Sequence, residues 1–439
     1  MAIASAGGNP VPINYHWAAP EVAHVIRDSG ITVMFCDPSL RGKAESAIAI
    51  ADGNVRLISI EPPRDGYETH EQLIAGKPNP LPYQDGALPA SMGLIYTSGT
   101  TGKPKGVLRE RMTGHQLLSV AGSTASRMGL RDGGSMLVAG PLYHTSPNAV
   151  ALLALRMGAN ITIMEYFDPE SFLALVEKHS VEHAKVVPTM LSRLLSLPDA
   201  TKAKYNVSSL THLIHSAAPC PPAIKSRALD WFGDAVQEFY GCTEGGTITW
   251  ITADEWRTKP GSVGRPIDGS NVSIVRDDGS AAEAGEVGHV QVTAPEYWPQ
   301  FQYLNRAAKT DFPIDVGDLG YLDGDGYLFL TGRSAEVVNV GGANVYPAEI
   351  EAAALEVECV EDAAAVGYPS DSDLGEEVAL FVVLRPGQTS GNEELIRQLA
   401  SRLAAYKLPR TIEIRSSLPR DDNGKVYKKR LTPAEPTSS

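Results

Sequence analysis

Short apolar runs of strand length recur through the first half of the chain, and helix-length segments lie between them. Residues 31–36, 55–60, 135–139, 160–164, 184–187 and 212–215 are such runs, rich in Val, Ile and Leu. Residues 21–29 form an amphipathic stretch that stops at Gly30, and residues 171–179 and 223–232 have helical length and spacing. This alternation predicts mostly parallel sheets covered by helices, an α/β fold. From 261 to 333 the texture changes. Glycine is frequent, and Gly288-His-Val-Gln-Val-Thr alternates, which predicts a small antiparallel β region. Beyond Arg333 an α+β tail is expected, with a helix starting at 346–351, a strand at 378–384 and a helix over 393–406. In that last helix Leu395, Leu399 and Leu403 share one face. At 439 residues the chain exceeds one compact core, so at least two domains are required.

One segment carries chemistry on its face. Residues 96–107 read Tyr-Thr-Ser-Gly-Thr-Thr-Gly-Lys-Pro-Lys-Gly-Val and directly follow the apolar run 92–95. Glycines admit a close backbone, successive N–H groups form an anion nest, and hydroxyls and lysines complete a polyphosphate cradle. It is not a Walker loop. Thr97 stands where that pattern needs Gly, and Pro104 after Lys103 opposes an immediate helix. The phosphates must be gripped by a loop that folds over them.

Bulk properties narrow the partners. The net charge of −14 argues against nucleic acid, which wants a basic face. The longest apolar stretch, 149–164, is broken by Arg156, so no membrane span is expected. The N-terminus lacks the basic-then-apolar pattern of a secretory signal. Cys36, Cys220, Cys242 and Cys359 are scattered, which fits reduced thiols in a cytoplasmic protein and no zinc site.

The 96–107 segment resembles the signature loop of the adenylate-forming superfamily: acyl-CoA synthetases, peptide-synthetase adenylation domains and luciferases. The resemblance runs from Pro10 to Leu431. It implies a large N-terminal domain, residues 1–333, and a small mobile C-terminal domain, residues 334–439. Members usually carry several tens of residues before the segment resembling Pro10-Val-Pro-Ile-Asn-Tyr, so either this form has a naturally shortened N-terminus or its start lies inside a longer reading frame; without that segment, exposed apolar surface is expected.

Such enzymes join two anions, a carboxylate and the α-phosphate of ATP. The task calls for Mg²⁺, a bridging lysine and phosphate donors. By resemblance, Thr97, Ser98, Gly99, Thr100, Thr101, Gly102 and Lys103 hold the β- and γ-phosphates. Tyr240-Gly241-Cys242-Thr243-Glu244 resembles the family's Tyr-Gly-x-Thr-Glu. Thr243 would then donate to the α-phosphate, Glu244 bind Mg²⁺ and Tyr240 stack on adenine. His215-Ser216-Ala217-Ala218-Pro219 resembles the stretch along the other adenine face. Val316-Gly317-Asp318 resembles Thr-Gly-Asp, where the aspartate accepts from the ribose hydroxyls, and Gly332-Arg333 places Arg333 near ribose and phosphate. Asn423-Gly424-Lys425, after Leu418-Pro419-Arg420, makes Lys425 the catalytic lysine.

Gly341-Gly342-Ala343-Asn344-Val345-Tyr346-Pro347 resembles the loop that acid–CoA ligases present to CoA in a second half-reaction. In that scheme the tail swings about a hinge, and the position that is usually Asp or Lys is Ala335 here. Pro141-Leu142-Tyr143-His144 resembles the start of the acyl pocket, with His144 as a gate near the carboxylate or as a capped helix-start residue. No aspartate lies between 141 and 155 to meet a substrate ammonium, which disfavours amino acids. The expected reaction is acid–CoA ligation of a lipophilic monocarboxylate (fatty, aryl or steroid side chain), with ATP, Mg²⁺ and CoA. The alternatives are a freestanding enzyme that loads a carrier protein, a remote luciferase-type oxygenase, and an inactive nucleotide-binding homologue. Assembly into a homodimer is left open.

Overall fold

The computed structural model describes residues 3, 8–60, 69–75, 93–97, 104–305, 311–369, 375–421 and 424–433. The phosphate-loop residues Ser98, Gly99, Thr100, Thr101, Gly102 and Lys103 lie outside the described residues, as does Asn423. By its contacts the chain divides into two units. One holds residues 1–123, 142–152 and 297–311, and the other holds the remainder.

In the first unit, helices Ala19–Ser29 and Arg41–Ala51 pack beside a parallel strand pair, Val33–Cys36 with Arg56–Ser59. The first helix ends where Gly30 turns left-handed, at φ 64°. A three-stranded antiparallel sheet orders Phe301–Tyr303, Lys105–Arg109 and Ile95–Thr97.

The second unit is built on a seven-stranded sheet. Its strands are β1 (Ser135–Val138), β2 (Asn160–Ile163), β3 (His183–Val186), β4 (His212–His215), β5 (Val236–Cys242), β6 (Gly246–Ile251) and β7 (Arg265–Pro266). Their order is β7-β6-β5-β4-β3-β1-β2. The pairs among β1 to β5 are parallel, and β6 and β7 are antiparallel additions. Helices α1 (Pro169–Lys178), α2 (Pro188–Leu195) and α3 (Pro222–Phe232) each open on a proline, which lacks the N–H that a first turn leaves unpaired. Together with one face of the sheet they bury Phe172, Leu173, Leu191, Leu194, Leu213 and Ala228 completely. Burial of a side chain of the larger kinds among these stabilises by roughly 1.5–3 kcal/mol.

An antiparallel sheet follows, with order β8 (Asn271–Val275), β9 (Gly288–Thr293), β10 (Ile314–Leu322) and β11 (Leu328–Arg333). The tail carries the hairpin β12 (Val338–Val340) and β13 (Ala343–Val345), helix α4 (Pro347–Leu355), and a sheet of β14 (Val360–Pro369), β15 (Glu376–Leu384) and β16 (Thr411–Arg415). Helix α5 (Asn392–Ala400) completes it. The tail has its own apolar core, centred on Ile350, Leu380, Val382, Leu395 and Leu399.

The helix expected over 393–406 is shorter in the structure. It stops at Ala400, Leu403 N–H still donates to the Leu399 carbonyl, and Ala404 is extended at ψ 149°. Leu403 keeps its face through a closing turn without a continued helix. Among the described residues no helix is long and apolar enough to cross a membrane.

Two imidazoles sit inside the second unit without charge. His183 (2% exposed) and His215 (0%) are buried. Burial lowers the His183 pKa to about 3 and that of His215 well below its ordinary value. The unfolded chain protonates both near pH 6.5, whereas the fold keeps both neutral. Stability is therefore full above that pH and falls as pH drops, by roughly 1.4 kcal/mol per unit for each histidine. Urea unfolding from about pH 7.5 down to about pH 5.5 should show this steep loss, and a flat profile would contradict it.

Candidate active site

The hairpin of β10 and β11 brings two motifs together. Asp318 and Arg333 are directly paired across the two strands. Arg333 Nε lies 2.7 Å from one carboxylate oxygen of Asp318, and the Tyr240 hydroxyl donates to the other at 2.7 Å. Arg333 Nη1 also donates to the Val316 carbonyl at 2.9 Å. Asp318 is only 7% exposed. Burial raises its pKa, and the Arg333 guanidinium opposes that rise. The Tyr240 phenol is held well above its usual range by burial and by Asp318. The aromatic, carboxylate and guanidinium groups that the sequence assigns to one nucleoside thus meet at hydrogen-bonding distance.

Thr243 and Glu244 occupy the tight turn between β5 and β6. The turn is closed by Cys242, whose sulfur accepts from Gly245 N–H at 3.2 Å. Burial pushes the Cys242 thiol up to about 12, which makes it an inert packing group. Gly241 is required by close approach. A Cβ there would lie 1.9 Å from the Gly246 carbonyl oxygen across the pair. On β4, His215 leads into Ser216, Ala217, Ala218 and Pro219. Ala217 takes φ 79°, a conformation that costs a non-glycine residue about 1–2 kcal/mol. Strain of this kind persists where the surrounding structure over-determines it, as at ligand sites.

Lys425 follows a small closed turn. Gly424 N–H donates to the Asp421 carbonyl at 2.8 Å, and Lys425 N–H donates to the Asp421 carboxylate at 2.8 Å. Gly424 has φ 74°, and a Cβ there would lie 2.0 Å from Thr189 Oγ1. The glycine is needed both by its backbone and because it is seated on the first turn of α2. Burial lowers the Lys425 pKa, as does Arg333, while Asp421, Glu336 and Asp318 oppose them. Lys425 therefore lies within electrostatic reach of the Asp318–Arg333 pair.

Ala335 sits in a short 3₁₀ turn, Ser334–Glu336. Alanine brings no polar contacts to this position, but its neighbour supplies them. Glu336 accepts from Lys428 at 2.6 Å, and Lys428 lies 2.8 Å from Glu351. Burial lowers the Lys428 pKa, but the two carboxylates outweigh it and hold the group above its ordinary value. Gly341 and Gly342 (φ 58° and 85°) form the two-residue turn between β12 and β13, a geometry that favours glycine at both positions. Thr97 ends its strand and His144 immediately precedes the helix Thr145–Arg156, its carbonyl accepting from Asn148 N–H at 3.2 Å. Both belong to the first unit.

Among the described residues no three His, Cys, Asp or Glu side chains gather closely enough to cage a metal. Mg²⁺ needs no such cage, since it takes one or two carboxylates and completes its shell with water and substrate phosphates. The turn between β5 and β6 offers one such carboxylate, Glu244.

Behind the site lies a buried network that the motifs do not announce. Lys225 on α3 pairs with Glu238 on β5 at 2.6 Å, their side chains 0% and 6% exposed. His215 Nε2 lies 3.6 Å from the same carboxylate, beyond hydrogen-bonding distance. The Lys225–Glu238 pair ties α3, which follows directly on the 215–219 stretch, to the strand that carries Tyr240. The sequence gives no sign of it, because α3 carries Arg227 and Asp230 as well as Lys225, and nothing local marks which of them is buried.

Comparison with known proteins fits this geometry. Residues 1–298 match the model of the AMP-binding enzyme family, and residues 349–425 match that of the AMP-binding enzyme C-terminal domain. The chain belongs to the AMP-binding enzyme family. As a member it is an AMP-forming ligase with a mixed α/β fold. It is 31% identical over 435 residues to an indoleacetate–CoA ligase of Aromatoleum aromaticum, covering 98% of this chain and 84% of that one. It is 29% identical to a fatty acid–[acyl-carrier-protein] ligase, ScoC, of Streptomyces coeruleorubidus, covering 98% of this chain and 82% of that one. Among solved structures, ATP-bound MatB of Rhodopseudomonas palustris superposes with a TM-score of 0.79 at 28% identity, covering 98% of this chain and 84% of that one.

Proposed function

We propose that this AMP-binding enzyme activates a carboxylic acid with an apolar body and transfers its acyl group to CoA. The observation that carries this is the cluster of Tyr240, Asp318 and Arg333, with Lys425 within electrostatic reach of it. An acid oxygen attacks the α-phosphorus of ATP, the bond to the β-phosphate oxygen breaks, and pyrophosphate leaves. The acyl-AMP then meets the CoA thiolate, the C–O bond to AMP breaks, and a thioester forms. Lys425 neutralises the carboxylate and α-phosphate in the first step, Thr243 donates to the phosphate, and Asp318 accepts from the ribose hydroxyls. Adenine would lie between Tyr240 and the Ser216–Pro219 stretch. Mg²⁺ held by Glu244 would offset charge on the departing pyrophosphate. Residues Ser98 to Lys103 would wrap the β- and γ-phosphates, and His144 would gate the carboxylate.

The tail, 334–439, acts as the mobile domain. For the second step it withdraws Lys425 and presents the Gly341-Gly342 hairpin to the CoA arm. Glu336 and Lys428 stiffen the turn about which it swings. The likeness to a carrier-protein ligase supplies the competing acceptor. Assaying thioester formation with CoA and with a holo carrier protein decides between them. Turnover with CoA is expected, and turnover with the carrier protein alone would overturn the choice of acceptor.

A further inference from the structure

Lys185 on β3 is 6% exposed. Among the described residues no carboxylate or hydrogen-bond acceptor meets its amine. Its amine lies over the face of Phe239, whose ring centroid is 4.9 Å from Nζ, and the imidazoles near enough to feel its charge, His183 and His215, are held neutral by burial. Burial alone lowers its pKa to about 7. Isolating an ammonium in this way is costly, so a site that keeps one has a use for it.

The sheet register says where this amine lies. Ala184, Leu213 and Val236 face the core beneath α2 and α3, so Lys185, Ile214 and Phe239 face the other side. Gly241 shares that side, two residues beyond Phe239, and its partners on β6 are Thr247 and, beside Phe239, Trp250. The Phe239 and Trp250 rings stack at 5.9 Å and 5°, a flat apolar wall. The wall leads along β5 to the turn bearing Thr243 and Glu244. From Phe239 to the end of the strand is roughly 10 Å at the usual rise per residue. An acid with its reacting carboxyl at that turn would lay its body on Gly241 and Phe239, and its far end would reach Nζ.

Given the acid-activating reading above, we infer that Lys185 closes the acid-binding face, and that the acid carries a second carboxylate at the end remote from the one that is activated. The apolar body remains, and the substrate is a dicarboxylate. Pairing at Lys185 supplies a counter-ion that none of the described residues provides.

The test uses matched acids, each linear or aryl diacid beside the monoacid that bears methyl in place of the far carboxyl. Pyrophosphate release is measured with wild type and with Lys185→Met, which keeps volume and removes the amine. Wild type should favour the diacid in kcat/KM by about tenfold or more, and the variant should lower that ratio by about a hundredfold. Preference for the monoacid in every pair, or a ratio unchanged by the substitution, would overturn the assignment. Thermal stabilisation by each acid needs no turnover. If wild type activates no acid, the ligase reading fails on its own, and the lysine is still judged. Diacid stabilising wild type above the variant supports it, and equal stabilisation refutes it. Should Lys185→Met not fold, Lys185→Gln removes the charge and is read in the same way.

Discussion

Replacing Lys425 with Ala should lower the rate of acyl-AMP formation by about 10²–10³-fold, the loss typical of removing one preorganised charge-stabilising donor. The same protein should convert preformed acyl-AMP and CoA to thioester within a few-fold of wild type. The asymmetry follows from where the lysine is held. Its turn is seated on Thr189 through Gly424, and its charge lies within reach of Asp318 and Arg333. It is therefore placed for the nucleotide step. The second step, in the scheme proposed, takes place with the tail turned away. Single-turnover assays of each half-reaction separate the two. Equal loss in both would mean that Lys425 supports folding or binding in general, and its assigned role would fall.

The second large effect concerns stability. Glu238→Leu leaves the Lys225 ammonium buried beside Trp256 with no carboxylate partner, and Lys225→Met leaves the Glu238 carboxylate beside a neutral imidazole. Each single change should cost about 3–5 kcal/mol, because an uncompensated buried charge remains. The double change removes both charges and should recover most of that loss. Denaturant unfolding of the four proteins gives the coupling directly. Additive losses would show that the two groups do not act as a pair. The Michaelis constant for ATP should rise in either single variant, because the pair joins α3, which follows directly on the stretch ending at Pro219, to the strand of Tyr240.

The parts of the fold that were legible in the sequence had strong local causes. β-branched runs became β1 to β4 within a residue or two, prolines opened α1 to α4, and Gly30 ended its helix. The antiparallel region after Gly261 and the strand near 378–384 also appeared. β14 was invisible because it is built on Glu361, Asp362 and three alanines, residues with little intrinsic preference for strands. Its alanines are fixed by tertiary burial between β15 and the tail's helices. Leu403 misled for a related reason: a spacing of four persists through a turn that no longer continues the helix.

For the site, motif resemblance chose Asp318, Arg333 and Tyr240, which the structure joins through a cross-strand pair and one hydroxyl. It could not reveal why Gly424 is a glycine, since Thr189 lies more than two hundred residues earlier in the chain. Nor could it reveal Lys185 or the Lys225–Glu238 pair. A lysine within a strand run gives no sign of what faces it until the register is known. The double glycine at 341–342 has a local cause in its hairpin turn, so its role toward CoA rests on function alone.

The most direct measurement is acid-dependent exchange of labelled pyrophosphate into ATP by the folded wild-type protein in the presence of Mg²⁺. The account predicts exchange that needs an acid and that disappears in Lys425→Ala. Well-folded protein that catalyses no exchange with any acid offered would contradict it.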